Sequence, residues 1–293
     1  VIGAKPVHLL SADEKKKLPK WDELVLDMGI LPEAERRTAA REGTYVYFAP
    51  NFTRMGKSRV CSKAIDDRAG CAMLLHLQEA PYDFTAAFLV QEEIGLRGAK
   101  AVAYTVNPEF ALVLEATTAA DIAGAEGDAK VCSLGEGPVI SFMDRGAIYD
   151  KELYRLAFSI CEKNKIPCQT KSRIAGGNDS GAIHVSRGGV RTLAISLPCR
   201  YLHSPSCLAD LKDLDACTAL LPVLLLFVVL FSAGLGLALS ALAVFFRDVC
   251  HLWSVVITAW TYATPLFYPV VVLPDWMMPI MELNPMYHYV SYF

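Results

Sequence analysis

The chain has 293 residues, with 28 Lys and Arg, 31 Asp and Glu, and a formal net charge of −3 at pH 7. This balance provides no basic surface, so nucleic acid is excluded as an expected partner. The nine cysteines are odd in number and include no Cys-x-x-Cys pair. They favour reduced thiols in a cytosolic protein over a disulfide framework. Residues 1–20 become charged at once, which argues against a secretory signal peptide.

The first 60 residues combine short apolar runs with turn-forming residues. Residues 44–48, TYVYF, are β-branched or aromatic and predict a strand. Residues 13–20 are strongly charged and predict a solvated helix or loop. We expect a small β-rich domain here, with no chemistry of its own.

From residue 61 onward, helical and strand patterns alternate along the chain. Helices are predicted at residues 66–79 and 153–163, and strands at residues 85–90, 110–114 and 191–197. Such alternation is typical of an α/β fold with a mostly parallel central sheet flanked by helices. In sheets of this kind, functional residues collect beyond the carboxyl ends of the strands.

Carboxylates and one imidazole stand where these predicted elements begin or end. They are Asp66 and Asp67 at the start of a helix, Glu92 and Glu93 after the strand at 85–90, Glu115 after that at 110–114, and His203 after that at 191–197. Carboxylate and imidazole ligands converging on one edge of a sheet suit divalent ions such as Zn²⁺, Co²⁺ or Mn²⁺.

Each group also has a structural alternative when it is taken alone. The acidic pair Asp66-Asp67 is typical of a helix cap, the pair at residues 92–93 of a solvated turn, and a single His such as His203 of an ordinary hydrogen-bonded side chain. Glu115 fits such an alternative least well, because it follows an apolar strand. The joint occurrence of all these groups in this order favours a metal site.

Four ordered motifs resemble the glutamyl and deblocking aminopeptidase family. They are KAIDDRAGC at residues 63–71, QEEIGLRGA at 91–99, AGGND at 175–179 and YLHSP at 201–205. The opening VIGAKP at residues 1–6 resembles the β-barrel dimerisation domain inserted in that family. The resemblance covers about residues 1–216. It implies a partial dimerisation domain over residues 1–60, a catalytic domain over residues 61–216, and homo-oligomers formed through the dimerisation domain.

The resemblance implies a metallopeptidase with two divalent ions, zinc or cobalt, that removes N-terminal residues from peptide substrates. Asp66 would bridge the two ions, Glu93 and His203 would complete one site, and Glu115 would bind the other ion. Glu92 would be the general base. The ions would activate a water molecule and polarise the scissile carbonyl, and a nearby carboxylate that binds neither ion would accept the proton of that water.

The chain departs from the family pattern at two metal ligands. Glu115 stands where the family often has Asp, which is a tolerable change, and the second departure concerns a His. The family has a His in an His-x-Asp motif upstream of the dimerisation domain, whereas here the only His before Asp66 is His8. The second metal site would then be weakened, and part of the catalytic sheet would lack its neighbouring strands. Asp179, close to a predicted helix start, and His184 are expected to be structural.

The charge pattern changes after residue 216. Residues 217–246 contain no charged side chain, and this stretch of about 30 residues exceeds the roughly 20 needed to cross a bilayer. A buried core helix is the soluble alternative. A second apolar segment at residues 249–273 is interrupted by Pro265 and Pro269, which predicts a broken or re-entrant stretch.

Residues 219–293 also carry ordered motifs of their own. GLGLALS at residues 234–240, VFFRDV at 244–249, PLFYP at 265–269 and LNPMY at 283–287 resemble the permease subunit of ABC transporters that export polysaccharides or their lipid-linked precursors. This resemblance implies an all-α membrane tail over residues 217–293, with Arg247 and Asp248 facing the cytosol. The chain has no Walker A pattern.

The sequence therefore predicts a metal-dependent aminopeptidase with a cytoplasmic catalytic part and a C-terminal part in the plasma membrane. Two alternatives stay open. One is a membrane component of a polysaccharide-exporting transporter. The other is a composite chain that joins an incomplete peptidase to an incomplete permease, with neither activity intact.

Overall fold

The computed structural model describes residues 1–29, 32–78, 80–81, 83–245, 255, 258–259 and 273–282. It divides the chain into two compact units, Val1–Ala49 and Pro50–Phe293. None of the cysteines in these described ranges forms a disulfide.

The first unit has little regular structure. Strand β1 (Ile2–Gly3) pairs antiparallel with β2 (Val25–Leu26), and helix α1 (Glu33–Ala39) follows. The predicted strand at residues 44–48 is wrong for the described chain, which has no strand there. Tyr45 and Tyr47 stack on each other and stay exposed to solvent, so no neighbouring strand provides the pairing that a β ladder needs. The expected partial barrel is not confirmed.

The second unit is built on a mixed sheet flanked by helices. Its strands are β3 (Thr53–Met55), β4 (Arg59–Ser62), β5 (Phe110–Thr118), β6 (Val139–Ile140), β7 (Arg191–Arg200) and β8 (Cys207–Asp210). Their order is β3-β4-β8-β7-β5, and β6 also pairs with β7.

The mostly parallel sheet predicted from the sequence is wrong. Strands β5 and β7 are parallel, from Phe110 opposite Arg191 to Thr118 opposite Cys199, whereas the pairs β3–β4, β4–β8, β6–β7 and β7–β8 are antiparallel. The connections β3–β4 and β7–β8 are too short for the crossover that parallel strands require.

The predicted strand at residues 85–90 carries no strand assignment. Strand β5 lies at the edge of the described sheet, and residues 85–90 do not pair with it. Both segments line one cavity of about 920 Å³, but Phe88 and Val90 are 46% and 67% exposed. The apolar pattern of residues 85–90 is therefore not sufficient for a strand, which also needs a hydrogen-bonded neighbour.

The helices agree more closely with the sequence. They are α2 (Ile65–Leu77), α3 (Arg97–Val106), α4 (Lys151–Asn164), α5 (Ser180–Ile183), α6 (Leu211–Phe245) and α7 (Met278–Glu282). The predicted helices at 66–79 and 153–163 are confirmed as α2 and α4, apart from Glu79, which lies outside the described residues. Asp150 caps α4 by accepting hydrogen bonds from the backbone N–H groups of Glu152 and Leu153.

Helix α6 continues through residue 216, where the sequence predicted a boundary. Cys217, Leu220, Leu221 and Leu224 on this helix are almost completely buried, and they belong to the same core cluster as Leu193 of β7. The first part of the uncharged stretch is therefore a core helix of the second unit. This is the soluble alternative considered from the sequence, and it holds for about half of the stretch.

The remainder of α6 is exposed. Leu237 and Leu242 have 72% and 49% of their surface accessible. Within Leu211–Leu242, an 18-residue window has a mean hydropathy of 2.6, and the helix is long and apolar enough to cross a membrane. Most of the second apolar segment, including Pro265 and Pro269, lies outside the described residues.

Because the first part of α6 is buried and the second part is exposed, substitutions in the two parts should differ in their effect on stability. Leu220→Ala removes a completely buried side chain and should lower the free energy of unfolding by about 2–5 kcal/mol. Leu237→Ala, made at an exposed position of the same helix, should change it by less than about 0.5 kcal/mol. Urea denaturation followed by circular dichroism measures both. Equal effects would contradict the burial of the first part of α6.

Candidate metal centre

Asp66, Glu93 and His203 meet at one point on the second unit. His203 Nε2 lies 3.0 Å from Asp66 Oδ2 and 3.5 Å from Glu93 Oε2. One ligand atom from each of the three residues lies within 4.8 Å of the others. Asp66 is largely buried, whereas the other two side chains are more than half exposed. The group therefore has an inner side in the protein and an outer side open to solvent.

A second group shares Asp66 with the first. Asp66, Asp67 and Glu115 also offer ligand atoms within 4.8 Å of one another. Glu115 is buried and accepts a hydrogen bond from the backbone N–H of Ala116. The sequence predicted Asp66 between two groups and Glu115 in the second one. It considered Asp67 only as a helix cap, so its place in the second group was missed.

The parallel pair β5–β7 positions Glu115 and His203. Glu115 lies opposite Ser196 within the ladder. It therefore belongs to the strand, whereas the sequence predicted it just after the strand's end. Strand β7 ends at Arg200, and the turn that follows brings His203 back towards Asp66. His203 has a left-handed backbone with φ 62°. The side chain of Asn51 donates a hydrogen bond to the carbonyl of Pro205 and holds this turn.

Asp66 and Asp67 occupy the first turn of α2, where both have non-helical backbone angles. Asp67 Oδ1 accepts a hydrogen bond of 2.9 Å from the backbone N–H of Gly70, so the helix-cap alternative is correct for Asp67. A Cβ atom at Gly70 would lie only 2.1 Å from Asp67 Oδ2. Glycine at this position therefore leaves room for the carboxylate.

Close packing of α3 against Val90 fixes the loop that carries Glu92 and Glu93. The backbone N–H of Gly98 donates to the carbonyl of Val90 at 3.0 Å, and a Cβ atom at Gly98 would lie 2.6 Å from the same oxygen. Gln91, just before the two glutamates, has φ 60°. Glycine at 98 is thus needed for the close approach that sets this loop.

Burial and mutual repulsion raise the pKa values of several carboxyl groups. Burial, and then the charges of Glu93, Asp179 and Asp66, raise the pKa of Glu92 to about 7, although nearby His203 lowers it. Burial also raises the pKa of Glu115 and that of Asp67 well above their usual range, with the neighbouring carboxylates adding to the effect. Such crowding is what a bound divalent cation would relieve, so the donor set fits a metal ion.

Asp179 belongs to the same electrostatic group. It is 8% exposed, its Oδ1 has no hydrogen-bond partner, and its charge contributes to the raised pKa of Glu92 and of Asp67. Its side chain does not cap α5; the backbone N–H of Ser180 instead donates to Asn178 Oδ1. The expectation of a purely structural Asp179 is therefore incomplete. No local sequence signal identifies this proximity, because it depends on tertiary packing.

His184 is placed as expected for a structural residue. Its Nδ1 lies 2.8 Å from the carbonyl of Ser180 on the same helix, and it is in neither of the two ligand groups.

Comparison with known proteins gives a family for this arrangement. Residues 1–220 match the family model described as M42 glutamyl aminopeptidase. The chain belongs to this family. A lysyl aminopeptidase of Pyrococcus furiosus is 34% identical over 223 residues, which cover 73% of this chain and 63% of the relative. The aminopeptidase resemblance found in the sequence is thereby confirmed.

Solved structures of M42-type aminopeptidases share the fold. An aminopeptidase from the archaeon Desulfurococcus kamchatkensis superposes with a TM-score of 0.68 at 33% identity, covering 75% of this chain and 62% of that one. The Pyrococcus horikoshii TET1 peptidase, whose title states that it assembles into a tetrahedron or a large octahedral shell, has a TM-score of 0.64 at 33% identity, with coverages of 76% and 66%. The chain thus spans slightly less than two thirds of the length of these relatives.

The C-terminal part matches a second family. Residues 194–293 match the model described as ABC-2 type transporter, which confirms the permease resemblance. The two matches overlap over residues 194–220, a range that contains most of β7, all of β8 and the buried start of α6.

The raised pKa values predict proton release when a metal binds. Glu115 and Asp67 hold protons at pH 7 in the metal-free chain, and a cation must displace them. Adding Zn²⁺ to the metal-free chain in weak buffer at pH 7 should release about one to two protons per chain, and the affinity should rise with pH. An indicator dye measures the release. Glu115→Gln should reduce the number of protons released by about one per chain. Zinc binding without any proton release would contradict the account.

Proposed function

We propose that the chain is a metal-dependent aminopeptidase that hydrolyses peptides from the N-terminus. The observation that supports this most strongly is the position of Asp66, which lies in both potential ligand groups, beside a glutamate whose pKa is raised to about 7. Membership of the M42 family supports the same activity.

In this proposal Asp66, Glu93 and His203 hold one divalent ion, zinc or cobalt. Asp66 and Glu115 hold a second ion, and Asp67 lies beside it. The bound ions would supply Lewis acidity, which polarises the scissile carbonyl and lowers the pKa of water. We call the site of Asp66, Glu93 and His203 the outer site and the site of Asp66 and Glu115 the inner site. The outer site has two exposed side chains and is open to a peptide arriving from solvent.

Glu92 is proposed as the general base. With a pKa of about 7 it is partly ionised at neutral pH, so it can accept a proton from the attacking water and then pass it to the leaving amine. Asp179 assists by its charge alone, because a nearby carboxylate disfavours the ionised form of Glu92 and makes it a stronger base.

The two metal sites are proposed to differ in affinity. The outer site has a neutral imidazole and two carboxylates, whereas the inner group has only carboxylates. Imidazole suits zinc better than carboxylates do, so the inner site should bind zinc more weakly.

Residues 1–60 are proposed as part of a dimerisation domain, residues 61–216 as the catalytic domain, and residues 217–293 as a membrane-associated part of an ABC-2 permease joined to it. The structures of TET peptidases support a homo-oligomer. The match to the ABC-2 family and the exposed apolar half of α6 support membrane association, with the catalytic part in the cytoplasm. The separate matches of the two segments favour a composite chain over a complete transporter.

Substitution of the proposed base tests the activity. Glu92→Gln should lower kcat for an aminoacyl-p-nitroanilide by about 10²–10⁴-fold and leave the bound metal unchanged, because the side chain transfers a proton and does not hold an ion. Glu162→Gln, an exposed change on α4, is the matched control and should have no effect. Full activity in Glu92→Gln would refute the assignment, and an inactive wild-type chain with its metals bound would refute the function.

The two sites can be separated by calorimetric titration of Zn²⁺ into the metal-free chain. His203→Ala should weaken the tighter of two binding events by at least about tenfold, and Glu115→Ala should weaken only the other. A single event that responds equally to both substitutions would contradict the division into an outer and an inner site.

A further inference from the structure

Helix α6 leaves the catalytic unit on the side away from the metal residues. Its last described ring contact is made by Phe231, which meets Phe110 edge to face at 6.3 Å, with the guanidinium of Arg191 5.7 Å from the same ring. Phe110 and Arg191 are the first residues of β5 and β7. Glu115 lies further along β5, and His203 follows the end of β7. The helix thus emerges at the edge opposite His203.

Charged groups mark the surface at this exit. Arg191 forms ion pairs with Asp150 and Glu152 at the start of α4. These residues indicate that the protein meets water here. From Phe231 to Phe246, however, the chain has no charged residue. Helix α6 therefore passes from a charged surface directly into an apolar segment, which we define as residues 232–245 and call the distal segment.

The distal segment is too short to cross a bilayer by itself. Its 14 or so residues, at about 1.5 Å each, reach roughly 21 Å, compared with roughly 30 Å of hydrocarbon and at least about 17 residues for a span. Arg247 and Asp248 follow immediately, and placing them inside the bilayer is unfavourable. Apolar segments of about 10–14 residues more often lie in the interface or re-enter on the same side.

A longer span would need residues 217–228 as well, and these belong to the core. Cys217, Leu220, Leu221 and Leu224 have at most 1% of their surface exposed, and Val228 has 7%. They pack in the same cluster as Met73 of α2 and Ile160 of α4. Withdrawing them into lipid would expose the apolar surfaces that they cover.

We propose that the distal segment binds one face of a lipid bilayer without crossing it. The catalytic unit then stays folded, the metal residues face the water, and Arg247 and Asp248 return to the same side as the catalytic unit. A full crossing by α6 and a folded catalytic core exclude each other, because both need residues 217–228. The match to a membrane transporter family supports lipid as the occupant. The inference depends on the proposed membrane association but not on peptidase activity.

A protease-site experiment on the full chain tests this arrangement. A cleavage site inserted between Arg247 and Asp248 is compared with a control site in the exposed β3–β4 turn, after Gly56. Each chain is reconstituted with sealed vesicles of phosphatidylethanolamine and phosphatidylglycerol, and protease is added outside. Hydrogen exchange of the β7 amides shows whether the core is folded. No step of the experiment measures peptide hydrolysis by this chain or its metal binding. A negative result would therefore be distinct from failure of the proposed peptidase activity.

Cleavage at both inserted sites, together with slow hydrogen exchange of the β7 amides, supports the proposal. Protection of the 247–248 site, with cleavage at the control site and a folded β7, would overturn it, because α6 would then cross beside an intact core. Protection of the 247–248 site together with rapid exchange of β7 would also overturn it, because α6 would then cross the bilayer at the cost of the folded core. Absence of the chain from the vesicles overturns the proposed lipid contact.

A substitution pair assigns the contact to the distal segment. Leu237→Lys should reduce partitioning into the same vesicles by roughly 10- to 100-fold, with unchanged exchange of β7. Leu75→Lys, at a leucine on α2 that is 58% exposed compared with 72% for Leu237, should leave partitioning unchanged. Equal partitioning of Leu237→Lys and the wild-type chain would contradict the assignment.

Discussion

The crowding of carboxyl groups around Asp66 is the constraint on which the rest of the site depends. A buried sheet and two helix starts hold Asp67, Glu92, Glu115 and Asp179 close together. Burial raises the pKa values of all four carboxyl groups, and the neighbouring carboxylates add to the effect at Asp67, Glu92 and Glu115. A bound divalent cation would offset the repulsion among their ionised forms. The close approaches at Gly70 and Gly98 show that the backbone is arranged to bring these groups together.

The parallel strands β5 and β7 lead from the carboxyl cluster at one edge of the second unit to the start of the exposed part of α6 at the other. At one end they lead to Glu115 and to the turn with His203. At the other end Phe110 and Arg191 contact Phe231, where α6 leaves the core. In a chain that matches both the M42 family and a membrane transporter family, the proposed metal site and the proposed lipid contact can thus lie at opposite edges of the second unit. A cytoplasmic catalytic part and a cytosolic Arg247-Asp248 are compatible only if α6 does not cross the bilayer.

Most residues of the candidate site were predictable because they occur in ordered motifs, and Glu115 was predicted from the apolar strand that contains its neighbours. The sequence thus predicted Asp66, Glu92, Glu93, Glu115 and His203, and helices α2 and α4. Asp179 also lies in a motif, at residues 175–179, but was interpreted as structural; its proximity to the other carboxylates and the strand directions depend on which elements become neighbours. Residues 85–90 show the same limit: their composition predicts a strand, but strand pairing is set by the partner. Hydropathy alone could not divide α6, because buried and exposed leucines look the same in a sequence.

The central claim is that Asp66 belongs to both metal-ligand groups, and Asp66→Asn tests this most directly. Calorimetric titration of Zn²⁺ into the metal-free full chain would be compared with the same titration of this variant, and circular dichroism would confirm that the variant is folded. The account predicts that both binding events weaken together, since one carboxylate serves both ligand groups. Retention of both events with unchanged affinity in a folded Asp66→Asn chain would contradict it.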